Sequence, residues 1–225
     1  MRIVISRRSV HVGLLAMAVA GLLCLGATGC GGDGDEAADK PVAGTQLCGG
    51  DAVSAQASKA LKVITGSSRF GTTAEESTVA SAAALLVEAF PMATGGRDDV
   101  CRIYTADGTP DFAIRVTWGL VDGPPTGTPA PNFTVLKMGE RTLAAADKAY
   151  VQFACESDKL AGSPTAAQIR IGVERWGMPE EPEGDIEALK DAYATVAHSF
   201  SLAMAKELRC EKDGGLPAKP VLNPA

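Results

Sequence analysis

Three arginines, Arg102, Arg115 and Arg170, fall at alternate positions of apolar–polar runs and are the residues of this sequence best suited to holding a ligand. Successive side chains of a strand point to opposite faces of its sheet. Arg102, Tyr104, Arg115, Thr117, Tyr150, Gln152, Arg170, Glu174 and Trp176 all run out of phase with the apolar set, so they are expected on one outward face. A guanidinium binds carboxylate or phosphate through two parallel hydrogen bonds, and Tyr and Trp add stacking area. Arg102, Tyr104, Arg115, Tyr150, Gln152, Arg170 and Trp176 therefore form the candidate binding face. The competing reading of the same residues is an ordinary solvated face with Arg–Glu pairing across strands.

Catalytic chemistry has less to stand on. Beyond residue 30 the chain holds one histidine, His198. It falls opposite the apolar stripe of its helix and is expected in solvent, where neither a Ser-His-Asp triad nor a His-rich metal site is readily built. No G-x-S-x-G, P-loop or G-x-G-x-x-G run occurs. Two carboxylates brought together would suffice for a glycosidase. Acidic clusters do occur at Asp98-Asp99, at Asp107 near Asp111, and from Glu180 to Asp185. Each sits in an expected loop, where solvating charge is the ordinary role. The chain thus reads as a non-enzyme with no catalytic residue, metal site or cofactor, and an envelope hydrolase with a carboxylate pair is the alternative.

The cysteines set the compartment. Arg2, Arg7 and Arg8 precede the apolar run Val12 to Leu25, and Ala27-Thr28-Gly29-Cys30 closes it with small residues. That order is an N-terminal export signal, residues 1–29, too short and too rich in small residues at its end for a spanning helix. The later cysteines, Cys48, Cys101, Cys155 and Cys210, are an even set without a Cys-x-x-Cys, which reads as disulfides rather than a metal site or a free nucleophile. Three pairings are possible. Cys48–Cys101 with Cys155–Cys210 closes two consecutive loops without crossing and is the expected one.

The elements that must position these residues follow from periodicity. Residues 30–46 are Gly-, Ala- and acid-rich and read as a solvated linker, and residues 211–225 as a Pro/Gly-rich tail. Between them, residues 47–210 are one domain. A helix from Asp51 to Ile64, capped by Asp51, is followed by one starting at Thr73, where Thr73-Ala74-Glu75-Glu76 has capping-box spacing. Strands are expected at 102–105, 112–120, 133–138, about 151–155 and 169–173, with Thr142 to Lys148 favoured as a hairpin arm. Ile186, Leu189, Tyr193, Val196, Phe200, Met204 and Leu208 then mark a long final helix. This order predicts an α+β fold: an antiparallel sheet of four to five strands with helices packed on one face.

The residues before Cys30 hold three of the 21 Lys+Arg and none of the 27 Asp+Glu, so the remainder carries −9. Such a chain is repelled by nucleic acid and by anionic headgroups, so no nucleic-acid partner is expected. Ala27-Thr28-Gly29-Cys30 resembles the lipobox of bacterial lipoproteins, with Ala27 where Leu is preferred. With the flexible linker, the early Cys48-Gly49-Gly50 and the cysteine-bearing sheet, the layout resembles uncharacterised small lipoproteins of high-GC Gram-positive bacteria. The resemblance implies diacylglyceryl-modified Cys30 as the first mature residue and a lipid anchor on the outer face of the plasma membrane. Two chains hold firmly where one holds marginally. The expectation is a membrane-tethered extracytoplasmic module that binds an envelope component or protein. Cys30→Ala is expected to abolish firm membrane retention, and mass spectrometry finding unmodified Cys30 in the mature wild type would refute the anchor.

Overall fold

The structure is a computed structural model that describes residues 40–225, apart from 92–95, 109–111, 163–164 and 178–180. The export signal, Cys30 and most of the linker lie outside the described residues. The elements are β1 (Val42–Ala43), α1 (Ala55–Thr65), β2 (Arg69–Phe70), α2 (Val79–Ala89), β3 (Arg97–Ile103), β4 (Phe112–Leu120), β5 (Thr134–Leu136), β6 (Arg141–Ala144), β7 (Lys148–Cys155), β8 (Ala167–Gly177) and α3 (Ile186–Glu207). Strands β3 to β8 form an antiparallel sheet in the order β3-β4-β8-β7-β6-β5, and β1 pairs with β2 in a separate ribbon. The fold is α+β as expected, with six strands in the main sheet rather than four to five. No described helix is long and apolar enough to cross a membrane.

Alternation builds the sheet. Ile114, Val116 and Trp118 of β4 and Ile169, Ile171 and Val173 of β8 face inward and are buried, as are Val151 and Phe153 of β7. The helices cover this face alone: α3 lies on β6, β7 and β8, α2 on β3 and β4, and α1 on α3. Residues 142–148 do form a hairpin, whose turn is closed by the Ala145 N–H donating to the Lys148 carbonyl.

β3 carries an irregularity that matters for the other face. Asp99 pairs with Thr117 but Cys101 pairs with Val116, so Val100 is an extra residue in the strand. The bulge turns Val100 and Cys101 both inward, at 4% and 2% exposure, and leaves Asp99 and Arg102 on the same outer face three residues apart. In unbroken alternation, residues three apart would face opposite ways.

Three boundaries differ from expectation. α1 is capped by Ser54 rather than Asp51: the Ser54 side chain accepts the Ala57 N–H, and Ala52 and the Ser54 backbone are tied to Ser199 of α3. α2 starts at Thr78, which accepts the Ser81 N–H. Thr73 is not its cap, since its hydroxyl accepts the Cys48 N–H instead. β3 begins at Arg97, inside the stretch read as loop, because pairing with β4 outweighs the poor strand propensity of Asp98-Asp99.

Both ends of the domain extend further than the sequence suggested. Val42 and Ala43 pair with Phe70 and Arg69. Residues 211–225 are not a free tail but a strap across the domain. Leu216 is buried, the Val221 N–H meets Met138 Sδ, and Ala225 donates to the Val135 carbonyl at the β5 edge.

Two disulfides brace this arrangement with the expected pairing. Cys48–Cys101 joins the turn before α1 to β3, with Cα atoms 5.9 Å apart. Cys155–Cys210 joins the end of β7 to the end of α3, with Cα atoms 4.9 Å apart. Cys48-Gly49-Gly50 all take positive φ, which explains the glycine pair after this cysteine. The bridges close sequence separations of 53 and 55 residues, each of which contributes about 4 kcal/mol in the chain-entropy model. Reduction should therefore lower the melting temperature steeply. Peptide mapping under non-reducing conditions should recover only these two pairs among the domain cysteines.

Candidate functional site

The open half of the outer face is organised by a row of charges. Arg102 lies directly across from Arg115, Arg115 across from Glu174, and Glu174 across from Lys148. Two arginines facing each other repel, and Asp99 resolves the conflict. Arg102 gives its Nε and Nη2 to Asp99 Oδ2 at 3.0 and 2.9 Å, and Arg115 gives its Nε and Nη2 to Oδ1 at 2.7 and 2.6 Å. Arg115 Nη1 also approaches Glu174 Oε1 at 3.6 Å. The hydrogen bond that Arg115 donates to Asp99 holds the Arg115 pKa above its usual value. These groups are partly exposed, so water screens the ion pairs and the row matters more for geometry than for stability.

Beside this row the face turns aromatic. Trp176 lies across from Ala113, and the Arg102 guanidinium sits 4.3 Å from the centre of its ring. Asp99 fixes Arg102, and Arg102 in turn steadies the indole through a cation–π contact. Tyr104 stands nearby. Trp176 and Tyr104 are 43% and 49% exposed, two of the few large apolar side chains left in solvent. Between them opens a shallow cavity of about 320 Å³, with Thr105, Phe112, Ala113 and Gly177 also in its wall.

The other expected residues share the face but not this site. Arg170 lies across from Gly119 and Gln152, four residues along β4 from Arg115, or about 13 Å at the rise of a strand. The irregular loop after β4 covers this half. Gln152 is buried because its amide donates to the Gly123 carbonyl and to Gln168, Arg141 donates to the Thr126 and Gly127 carbonyls, and Phe133 approaches Tyr150 at 6.0 Å between ring centres. Gly172 is what lets Tyr150 lie flat there, since a Cβ on it would come within 3.1 Å of the ring and 2.8 Å of the Thr117 hydroxyl. The three guanidinium groups do not converge. Arg115 makes the cross-strand acid pairing weighed above, with Asp99 and Glu174, and Arg102 meets Asp99 within its own strand.

Compared with protein-family models, with curated proteins and with solved structures, the chain matches none. The site's own chemistry therefore carries the functional argument.

A second cavity, about 630 Å³, opens on the helix side of the same sheet end, with Ile64, Phe112, Arg175, Glu183 and Tyr193 in its wall. The Arg175 guanidinium lies 4.4 Å over the Phe112 ring, and burial pushes the Tyr193 phenol well above its usual pKa. Of the carboxylates considered for hydrolysis, Asp99 is in ion pairs and Asp185 caps α3 through the Glu187 and Ala188 N–H groups, while Asp107 and Glu183 both border the helix-side cavity. Asp111 and Glu180 lie outside the described residues. Among the described residues, no group of His, Cys, Asp and Glu is placed to hold a metal ion.

His198 was expected in solvent but is buried, at 3% exposure. The face opposite the apolar stripe of α3 is covered by α1 and by the C-terminal strap, and Nε2 lies 2.8 Å from the Pro217 carbonyl oxygen. Burial is the larger effect and pulls its pKa below the usual 6.5, against the raising effect of that hydrogen bond. The unfolded chain then binds a proton that the folded chain refuses. Stability should be complete above about pH 6.5 and should fall as pH drops below it toward the folded value. Thermal melts at about pH 7.5 and about pH 5.5 should show this loss in the wild type. A His198→Gln variant, which keeps a donor for Pro217, should show a smaller loss over the same interval.

Proposed function

We propose that this chain is a lipid-anchored extracytoplasmic binding module, non-enzymatic, whose contact surface is the open sheet face at β3, β4 and β8. One observation carries the reading: Tyr104 and Trp176 stand exposed on either side of small Ala113, with the indole steadied by Arg102 and Arg102 by Asp99. Tyr, Trp and Arg are the residues that dominate binding energy where they cluster. A side chain fixed before the ligand arrives loses less entropy on binding. Two disulfides and a long packed helix hold the framework beneath, and this favours a site over a mere spacer. The export signal and Cys30 support placement on the outer face of the plasma membrane.

The test uses the full-length chain as bait in detergent-solubilised envelope. Tyr104→Ala and Trp176→Ala should each reduce capture about tenfold, while melting temperatures stay near wild type because both side chains are exposed. Capture unchanged in both variants would place the contact surface elsewhere.

A further inference from the structure

We propose that the cavity between Tyr104 and Trp176 is a subsite for an uncharged, polyhydroxylated ring, a sugar unit of an envelope glycan. Arg102 and Glu174, in the charge row beside it, would hydrogen-bond the hydroxyls of that unit or its neighbour. This rests on the binding-module reading and names its ligand.

Shape comes first. The space of about 320 Å³ lies at the small end of ligand pockets, which run from about 300 to 1,000 Å³. Ala113 and Gly177 give the cavity room, and Tyr104 and Trp176 give it flat apolar walls. A sugar ring has the matching form: C–H faces that pack on an aromatic ring and a rim of hydroxyls.

Charge narrows the class. Arg102, Arg115, Asp99 and Glu174 sum to zero and are turned toward one another. An anion reaching the arginines would meet Asp99 and Glu174, and a quaternary ammonium seeking the indole would meet Arg102, which already lies on that ring. A hydroxyl both donates and accepts, so it can use what the ion pairs leave over. Arg102 spends its Nε and one Nη on Asp99 and keeps further N–H groups, and Glu174 meets Arg115 through Oε1, leaving Oε2 as an acceptor. A protein partner would need to cover about 800 Å² on this side. Beyond the aromatic pair it would have to settle on self-paired charges, which interface centres avoid.

The experiment titrates the full-length chain, in a detergent without a sugar headgroup, with cellohexaose, mannohexaose and chitohexaose, and with heparin as the anionic probe. Isothermal titration calorimetry reads binding in the wild type and in every variant, and because Trp118 is 3% exposed, a change in wild-type tryptophan emission also reports contact at Trp176. At least one neutral hexasaccharide should bind saturably, with an affinity that changes less than about twofold between about 50 and about 500 mM salt, since no net charge is neutralised. Trp176→Ala should weaken that binding about tenfold or more, and Trp176→Phe, which keeps an aromatic face, should restore most of it. Heparin binding that falls with salt while the neutral sugars fail would overturn the ligand class. So would failure of every probe while envelope capture still depends on Trp176, an outcome that leaves the binding-module reading standing. Sugar binding indifferent to both Trp176 variants would overturn the site. Failure of the sugars together with Trp176-independent capture would overturn both readings.

Discussion

The bulge at Val100 is the constraint on which both faces of this sheet depend. Without the extra residue, Asp99 and Cys101 would share a face and Arg102 would lie on the other. With it, Cys101 reaches inward to Cys48, and Asp99 and Arg102 both turn outward. One backbone irregularity thus closes the first disulfide in the core and places the acid that separates two facing arginines. The disulfide in turn holds the bulge, since Cys101 cannot slip by one position without leaving its partner. Register is ordinarily specified by burial of one face. Here a covalent bond fixes it as well, next to the residues that the outer surface uses.

From Asp99 the order passes outward by contact. Asp99 orients two guanidinium groups, one of them lies on Trp176, and the indole forms a wall of the outer cavity. Each contact is weak in water and screened by salt, so their sum adds little to folding. What they supply is position. The rest of the outer face is treated differently: the loop from Val121 to Phe133 crosses it and buries Gln152. The sheet therefore presents a covered half and an open half, and the open half is the one with exposed aromatics.

Much of the architecture could be read from the sequence, and the failures have physical causes. The apolar alternation of 112–120 and 169–173 identified inward and outward residues correctly, because strands buried on one face leave a period-two record. The non-crossing disulfides followed from the consecutive helix–strand units that they join. Asp99 was missed because strand pairing overrode the local preferences of an Asp-Asp pair after two glycines. His198 was misplaced because the helical stripe identifies one buried face only. α3 is covered on its other side by Ala- and Ser-rich contacts with α1 and by the strap, and small residues carry little hydrophobic signal. Residues 211–225 read as a free tail because a single-copy strap has no periodicity to detect. Its anchors, Leu216 and the Pro217 carbonyl, are visible only once the helix they pack on is in place.

On the proposed reading, a shallow site and a membrane tether belong together. A cavity open to water on one side excludes solvent from only part of its ligand, so its intrinsic affinity is modest. Confinement changes what modest affinity achieves. A domain tethered to the membrane meets components of its own envelope at an effective concentration on the order of millimolar, and binding in the millimolar range, about −4 kcal/mol, is then enough for substantial occupancy. Fixing Trp176 through Arg102 and Asp99 lowers the ordering cost further without enlarging the contact. A soluble protein with the same site would need a deeper cleft or more anchors for equal occupancy. The lipidated cysteine would therefore set the strength of the interaction as much as its address, and the aromatic shelf would set its selectivity.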